Sequence, residues 1–175
     1  MEKGLIHIYT GEGKGKTTCC VGLSVRCAGF GGKVLFSQFL KDNKSSELSV
    51  LKTVPGIHVL LCDHPVGFTF KMNDEQKKDT AAICNDYFDK VSKTALEEDV
   101  DLLVMDEMMA TYNGGFINRE KLLDFLKNKP ESMEVVMTGR NAPPELVELA
   151  DYVSSIEKVK HPFDKGIRAR KGIEK

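Results

Sequence analysis

The sequence holds 175 residues, with 25 Lys and Arg against 26 Asp and Glu and a formal net charge of −1. That length suits one domain, expected to run over residues 1–175, with a core large enough to need no disulfides. Ordinary apolar content and near-zero charge exclude a disordered chain or a nucleic-acid carrier, and no apolar run reaches membrane-spanning length.

Leu5–Thr10 reads as a short buried strand, followed by a glycine-rich turn and a helix from about Lys16 to Ala28. Lys33–Leu40 is a second strand, Asp42–Leu51 a polar helix or loop, and Ile57–Leu61 a third strand. His64–Met72 is a loop. Asn73 then opens a long helix, with Gln76 placed for a capping box. In that helix Ile83, Cys84, Tyr87, Phe88, Val91 and Ala95 follow helical spacing and belong to the core. Leu102–Asp106 is a buried strand that runs into the turn Asp106–Met109. Asn118 caps a helix to about Asn128, Glu134–Thr138 is a strand, Pro144–Ala150 a short helix and Tyr152–Val159 the last strand. Strands alternating with helices predict an α/β fold, a mostly parallel sheet with helices on both faces. Ligands of such sheets bind beyond the carboxyl ends of the strands.

Met1-Glu2-Lys3-Gly4 leads straight into the first strand rather than into a signal peptide, so a cytoplasmic protein is expected. The five cysteines, Cys19, Cys20, Cys27, Cys62 and Cys84, lack metal-ligand spacing and read as buried, reduced thiols. From Lys158 to Lys175 the chain turns basic, which fits a solvated surface.

The clearest chemistry is Thr10-Gly11-Glu12-Gly13-Lys14-Gly15-Lys16-Thr17-Thr18, set between a strand and a helix. Glycines let successive N–H groups turn inward around an anion, and the helix N-terminus adds partial positive charge. Lys16 can bridge phosphate oxygens, and the Thr17 hydroxyl is placed to ligate Mg²⁺. Thr10 stands where the strict phosphate-loop pattern has its first glycine. The apolar strand ending in Asp106-Glu107 brings a hard carboxylate oxygen to the same metal; the residues alone leave open which of the two does so. Phe68 and Phe70, two residues apart in a loop, are core anchors or one wall of a ligand site. Arg140, after Thr138-Gly139, meets a phosphate or ribose, or lies in solvent.

These pieces, with Arg26 on the first helix, Gln38-Phe39, Gly67-Phe68-Thr69 and the tail Val159-Lys160-His161, Phe163-Asp164 and Gly166, resemble the ATP:corrinoid adenosyltransferases. They run in that family's order over nearly the whole chain. The resemblance implies a P-loop NTPase-like, RecA-like fold. The implied reaction carries the 5′-deoxyadenosyl group of ATP to the cobalt of a reduced corrinoid (cobalamin, cobinamide or cobyrinic acid diamide) and releases triphosphate. It implies that Lys14, Lys16 and the loop amides, with Mg²⁺ held by Thr17 and Asp106 or Glu107, stabilise the leaving triphosphate. Arg26, Gln38 and Arg140 would lie near the nucleotide. Phe68 and Phe70 would help exclude the lower axial ligand of cobalt, although Phe70 stands where family members carry tryptophan. Glu12 stands where asparagine is usual. A homodimer and a flavodoxin-like or flavin reductant are further implied. The alternatives are an ordinary P-loop ATPase or kinase, in which Glu107 activates a nucleophile, and a non-catalytic carrier.

Overall fold

The computed structural model describes residues 3–66 and 72–174. Six strands carry the apolar runs: β1 (Ile6–Thr10), β2 (Val34–Gln38), β3 (Ile57–Leu60), β4 (Leu102–Asp106), β5 (Glu134–Thr138) and β6 (Tyr152–Ser155). All pair in parallel, in the order β3-β2-β4-β5-β1-β6. The connections hold α1 (Lys16–Gly29), α2 (Glu47–Leu51), α3 (Asp74–Glu97), α4 (Met108–Asn113), α5 (Arg119–Asn128) and α6 (Pro144–Leu149). A 3₁₀ turn over Pro162–Lys165 follows β6.

The two-residue period of a strand divides β4 between two cores. Leu102 and Val104 join Cys20 of α1 and Leu48 and Leu51 of α2. Leu103 and Met105 join Phe88 and Val91 of α3, Tyr112 of α4, Leu122 of α5 and Leu146 of α6. Both faces of the sheet are therefore covered, which is why β4 and β5 at its centre carry continuous apolar runs, Leu102–Met105 and Val135–Met137. The expected α/β architecture is present. The capping box at Asn73 and Gln76 opens α3 as its sequence predicts.

Three expectations need correction. The last strand stops at Ser155, and all four of its residues are exposed at the sheet edge, so little burial extends it toward Val159. Met108 and Met109 belong to α4 rather than to a turn, because both bury fully in the core that holds Leu103 and Met105. Of the cysteines, all free, only Cys20 and Cys84 are buried; Cys19 is exposed, and Cys27 and Cys62 are half-buried. Ile83 is half-buried, at the margin of its helix face. Among the described residues no helix is long and apolar enough to cross a membrane.

The sheet sets one edge apart for chemistry. β1, β2, β4 and β5 end in Thr10, Gln38, Asp106 and Thr138, and register places Gln38 beside Asp106 and Tyr9 beside Thr138. β5 lies between β1 and β4, so the glycine-rich turn and Asp106 are separated by one strand. Core packing should dominate stability. Leu103→Ala is expected to cost about 2–5 kcal/mol, through lost transfer energy and a cavity. Phe30, 91% exposed, should tolerate alanine within about 0.5 kcal/mol. Urea unfolding of both variants checks the contrast.

Candidate functional site

The turn between β1 and α1 is shaped by a close neighbour. A Cβ on Gly11 or Gly13 would lie 2.5 or 2.6 Å from backbone oxygens of Ile156 or Glu157. Gly13 N–H donates to Ile156 O at 2.7 Å, and Ile156 N–H donates to Thr10 O at 2.8 Å. The segment after β6 thus braces the loop, and only glycine fits against it. Gly15 at the N-cap offers no side chain, so the first amides of α1 lack a capping acceptor. Lys16 curls over the loop and donates to Gly11 O and Gly13 O, each at 2.7 Å. Burial, then the nearby Arg140, pulls the Lys16 ammonium below the ordinary lysine value.

Asp106 is the centre of the cluster. It is 0% exposed, and a buried carboxylate is tolerable only when paired and hydrogen-bonded. Thr17 Oγ1 donates to Asp106 Oδ1 at 3.0 Å, and Thr138 Oγ1 donates to the same oxygen at 2.5 Å. Asp106 Oδ2 accepts from Gln38 Nε2 at 3.1 Å and from Lys41 Nζ at 2.6 Å. Gln38 Nε2 also donates to Glu47 Oε1 at 2.9 Å. Gln38 Oε1 is buried without a partner among the described residues. Burial opposes the Lys41 ammonium, but the charge and hydrogen bond of Asp106, with Glu107 and Glu47 behind, hold it above the ordinary lysine value.

Glu107 does something different. It caps α4 with φ 61°, a left-handed conformation uncommon outside glycine. Its N–H donates to Thr138 Oγ1 at 3.0 Å. Burial, then the Asp106 charge, pushes its carboxyl above the ordinary glutamate value. The Thr138 hydroxyl therefore fixes both acids at once. Asp106 is the acid that meets Thr17; Glu107 sits one residue on, at the start of the helix.

The remaining predicted residues divide. Glu12 and Arg140 pair across the loop mouth at 3.2 Å, so Arg140 does reach the loop. Lys14 and Thr18 are exposed on the loop and on the first turn of α1. Arg26 is exposed in the last turn of α1. Ten residues of helix separate it from Lys16, about 15 Å at 1.5 Å per residue, so it is not part of this cluster. Phe68 and Phe70 lie outside the described residues. Lys41, Glu47 and Thr138 were absent from the predicted set. Lys41 and Thr138 stand at or just beyond the carboxyl ends of strands, where ligands of such sheets bind, but nothing in spacing alone directs them at Asp106. Beside Gly13 and Lys14 a cleft of about 400 Å³ opens, walled by residues 157–162 with Arg170, Ile173 and Glu174. The basic tail is exposed as expected, yet it also forms this wall.

The profile of the family described as ATP:corrinoid adenosyltransferase BtuR/CobO/CobP matches residues 2–174. The chain belongs to that family. The corrinoid adenosyltransferase of Escherichia coli (strain K12) is 32% identical over 173 residues, covering 99% of this chain and 86% of the relative. That of Pseudomonas aeruginosa is 32% identical over 177 residues, covering 99% and 84%. Among solved structures, the flagellar accessory protein FlaH from Methanocaldococcus jannaschii aligns with a TM-score of 0.57 at 15% identity, over 89% of this chain and 72% of that one. That likeness concerns the fold alone, an α/β, RecA-like parallel sheet with helices on both faces. Within the adenosyltransferase family, the glycine loop, the strand-end acids and the tail of this chain occupy one edge of the sheet.

The raised Glu107 carboxyl gives a pH prediction. The folded state keeps its proton to higher pH than the unfolded chain, so stability from this group is full below the ordinary value of 4.5 and falls as pH rises through the folded value. Glu107→Gln should therefore raise the melting temperature of the ligand-free protein at pH 7. Its advantage should vanish below pH about 4.5. Melting curves across pH check both signs.

Proposed function

We propose that this protein transfers the 5′-deoxyadenosyl group of ATP to the cobalt of a reduced corrinoid, in the formation or salvage of adenosylcobalamin. The observation that carries the reading is the convergence of Lys16, Thr17 and Asp106 at one strand edge, in a chain that matches the family over residues 2–174. The electron pair of Co(I) attacks C5′ of ATP. The C5′–O bond breaks, its electrons leave with triphosphate, and a cobalt–carbon bond forms. The corrinoid supplies the nucleophile, so the protein's work is positioning and charge. Lys16, once it swings from the loop carbonyls, and the open amides of α1 face the triphosphate. The tail cleft beside Lys14 gives the second substrate a route to the nucleotide.

The oxygens at Asp106 suit Mg²⁺. Thr17 and Asp106 are hard ligands, and the unpartnered Gln38 Oε1 is a further acceptor facing inward. Among the described residues no three His, Cys, Asp or Glu cluster as a metal cage. That suits an ion that uses one or two protein ligands and completes its shell with phosphate and water. When bound, Mg²⁺ supplies charge neutralisation to the leaving triphosphate. Thr17 and Asp106 hold it in this reading, with Glu107 behind Asp106. Gly11, Glu12, Gly13, Gly15, Thr18 and Arg140 frame the nucleotide. Phe68 and Phe70 serve the corrinoid side. We assign the chain a single P-loop domain from its length and a cytoplasmic setting from its free cysteines, and a homodimeric state and a flavin-type reductant from the family resemblance. The ATPase or kinase alternative is not favoured, because the match runs through the tail as well as through the loop.

The test supplies ATP, Mg²⁺ and cob(I)alamin reduced by a strong chemical agent, and follows adenosylcobalamin by absorbance. Lys16→Ala should lower the rate by about 10²–10³, the value of one preorganised donor to a developing anion. Asp106→Asn should raise the Mg²⁺ needed for half-maximal rate well beyond any shift in Glu107→Gln. Full activity of Lys16→Ala would refute the phosphate assignment. A second pair of measurements addresses the aromatic residues. Phe68→Ala and Phe70→Ala should spare transfer to prereduced cob(I)alamin and slow it when the reaction starts from cob(II)alamin and a flavin reductant. Equal losses under both regimes would mean that the rings serve folding.

A further inference from the structure

Lys41 reaches Asp106 through an unusual turn. Leu40, just after β2, has φ 49°, a left-handed backbone that a bulky residue adopts at a cost. The turn is pinned from both sides. Phe39 N–H donates to Asp106 O at 2.9 Å, and the Phe39 ring is buried against Tyr87 at 4.8 Å between centroids. Lys41 follows, and its Nζ stands 2.6 Å from Asp106 Oδ2 and 3.9 Å from Glu47 Oε1. The ammonium thus neutralises the carboxylate that Thr17 also touches. Beside it the buried Gln38 Oε1 has no partner among the described residues. An acceptor left so in the interior points to a donor or cation that arrives with a ligand.

Thr17 Oγ1 reaches both Asp106 oxygens, Oδ1 at 3.0 Å and Oδ2 at 3.3 Å, and Lys41 Nζ holds Oδ2. A divalent ion seated between Thr17 and Asp106 would lie beside the Lys41 ammonium, and like charges at such range repel strongly. We propose that Lys41 is a tethered counter-cation for Asp106, displaced when Mg²⁺ enters with ATP and freed to meet the triphosphate. This rests on the adenosyltransferase reading for the identity of the nucleotide. In the ligand-free protein Lys41 satisfies a buried charge that would otherwise strain the fold. It also competes with Mg²⁺ until the nucleotide offers the ammonium another anion. Binding of metal and of ATP is then cooperative, and the coupling is reciprocal.

The test measures metal binding without turnover. Mn²⁺, as a paramagnetic stand-in for Mg²⁺, is titrated into the wild type, Lys41→Met, Lys41→Arg and Lys41→Gln, without ATP and with ATP, and free Mn²⁺ is read by electron paramagnetic resonance against a protein-free control at the same ATP. Melting temperature is recorded alongside. Lys41→Met should melt lower than wild type without metal. It should bind Mn²⁺ alone about tenfold more tightly, equivalent to about 1.4 kcal/mol. ATP should tighten Mn²⁺ binding less in this variant than in wild type. Lys41→Arg should keep the weak Mn²⁺ binding of wild type. Equal Mn²⁺ affinity in wild type and Lys41→Met overturns the proposal while leaving the functional reading intact. Should Lys41→Met fail to fold, Lys41→Gln decides. It keeps a hydrogen-bond donor for Asp106 but removes the charge, so tighter Mn²⁺ binding supports the exchange and unchanged binding overturns it. Wild-type protein that binds no ATP in the presence of Mn²⁺ overturns the functional reading and this proposal together.

Discussion

One buried carboxylate organises the working edge of this molecule. Asp106 is fully enclosed and accepts hydrogen bonds from Thr17 and Cys20 of α1, Gln38 of β2, Thr138 of β5 and Lys41 in the turn after β2. Burial of an ionised group costs several kcal/mol unless such partners surround it. The requirement to satisfy Asp106 therefore fixes where Thr17, Gln38, Lys41 and Thr138 must stand. It ties the glycine loop to the acid strand across the intervening β5. It also explains why Gln38, at the end of a fully buried strand, is tolerated in the interior.

The strain in the neighbourhood follows the same logic. Leu40 and Glu107, which flank the ends of β2 and β4, and Asn141, beyond β5, all have positive φ. Each costs about 1–3 kcal/mol, and such residues persist only where the surroundings over-determine them. Here the surroundings are the two cores that clamp the strands from either face. The tail braces the remaining side by placing the Ile156 backbone against Gly11 and Gly13. A rigid sheet thus holds four strand ends in register, and the turns that leave it carry the polar groups.

Much of this was legible in the sequence. Short apolar runs such as Leu102–Met105 and Val135–Met137, and a helical period from Cys84 to Ala95, specify buried strands and a one-sided helix with little ambiguity. The glycine loop announces its own conformation, because only glycine permits those turns. The ambiguity between Asp106 and Glu107 could not be resolved from spacing, since adjacent strand residues face opposite ways; Thr17 and Thr138 resolve the geometry in space. Lys41 was invisible for a related reason: a lysine in a polar turn has many solvated conformations, and only the left-handed Leu40 turns this one inward. α4 was missed because six residues carry too little periodicity to separate a helix from a turn. Arg26 fits the family's order along the chain, yet the length of α1 carries it to the far end of the helix.

The account stands or falls on what ATP becomes. Phosphorus NMR of a reaction containing the wild-type protein, ATP, Mg²⁺ and excess prereduced cob(I)alamin reads this directly. The account predicts one inorganic triphosphate for each adenosylated corrinoid, with no ADP. ADP with orthophosphate or a phosphorylated acceptor, and no cobalt–carbon product, would contradict it.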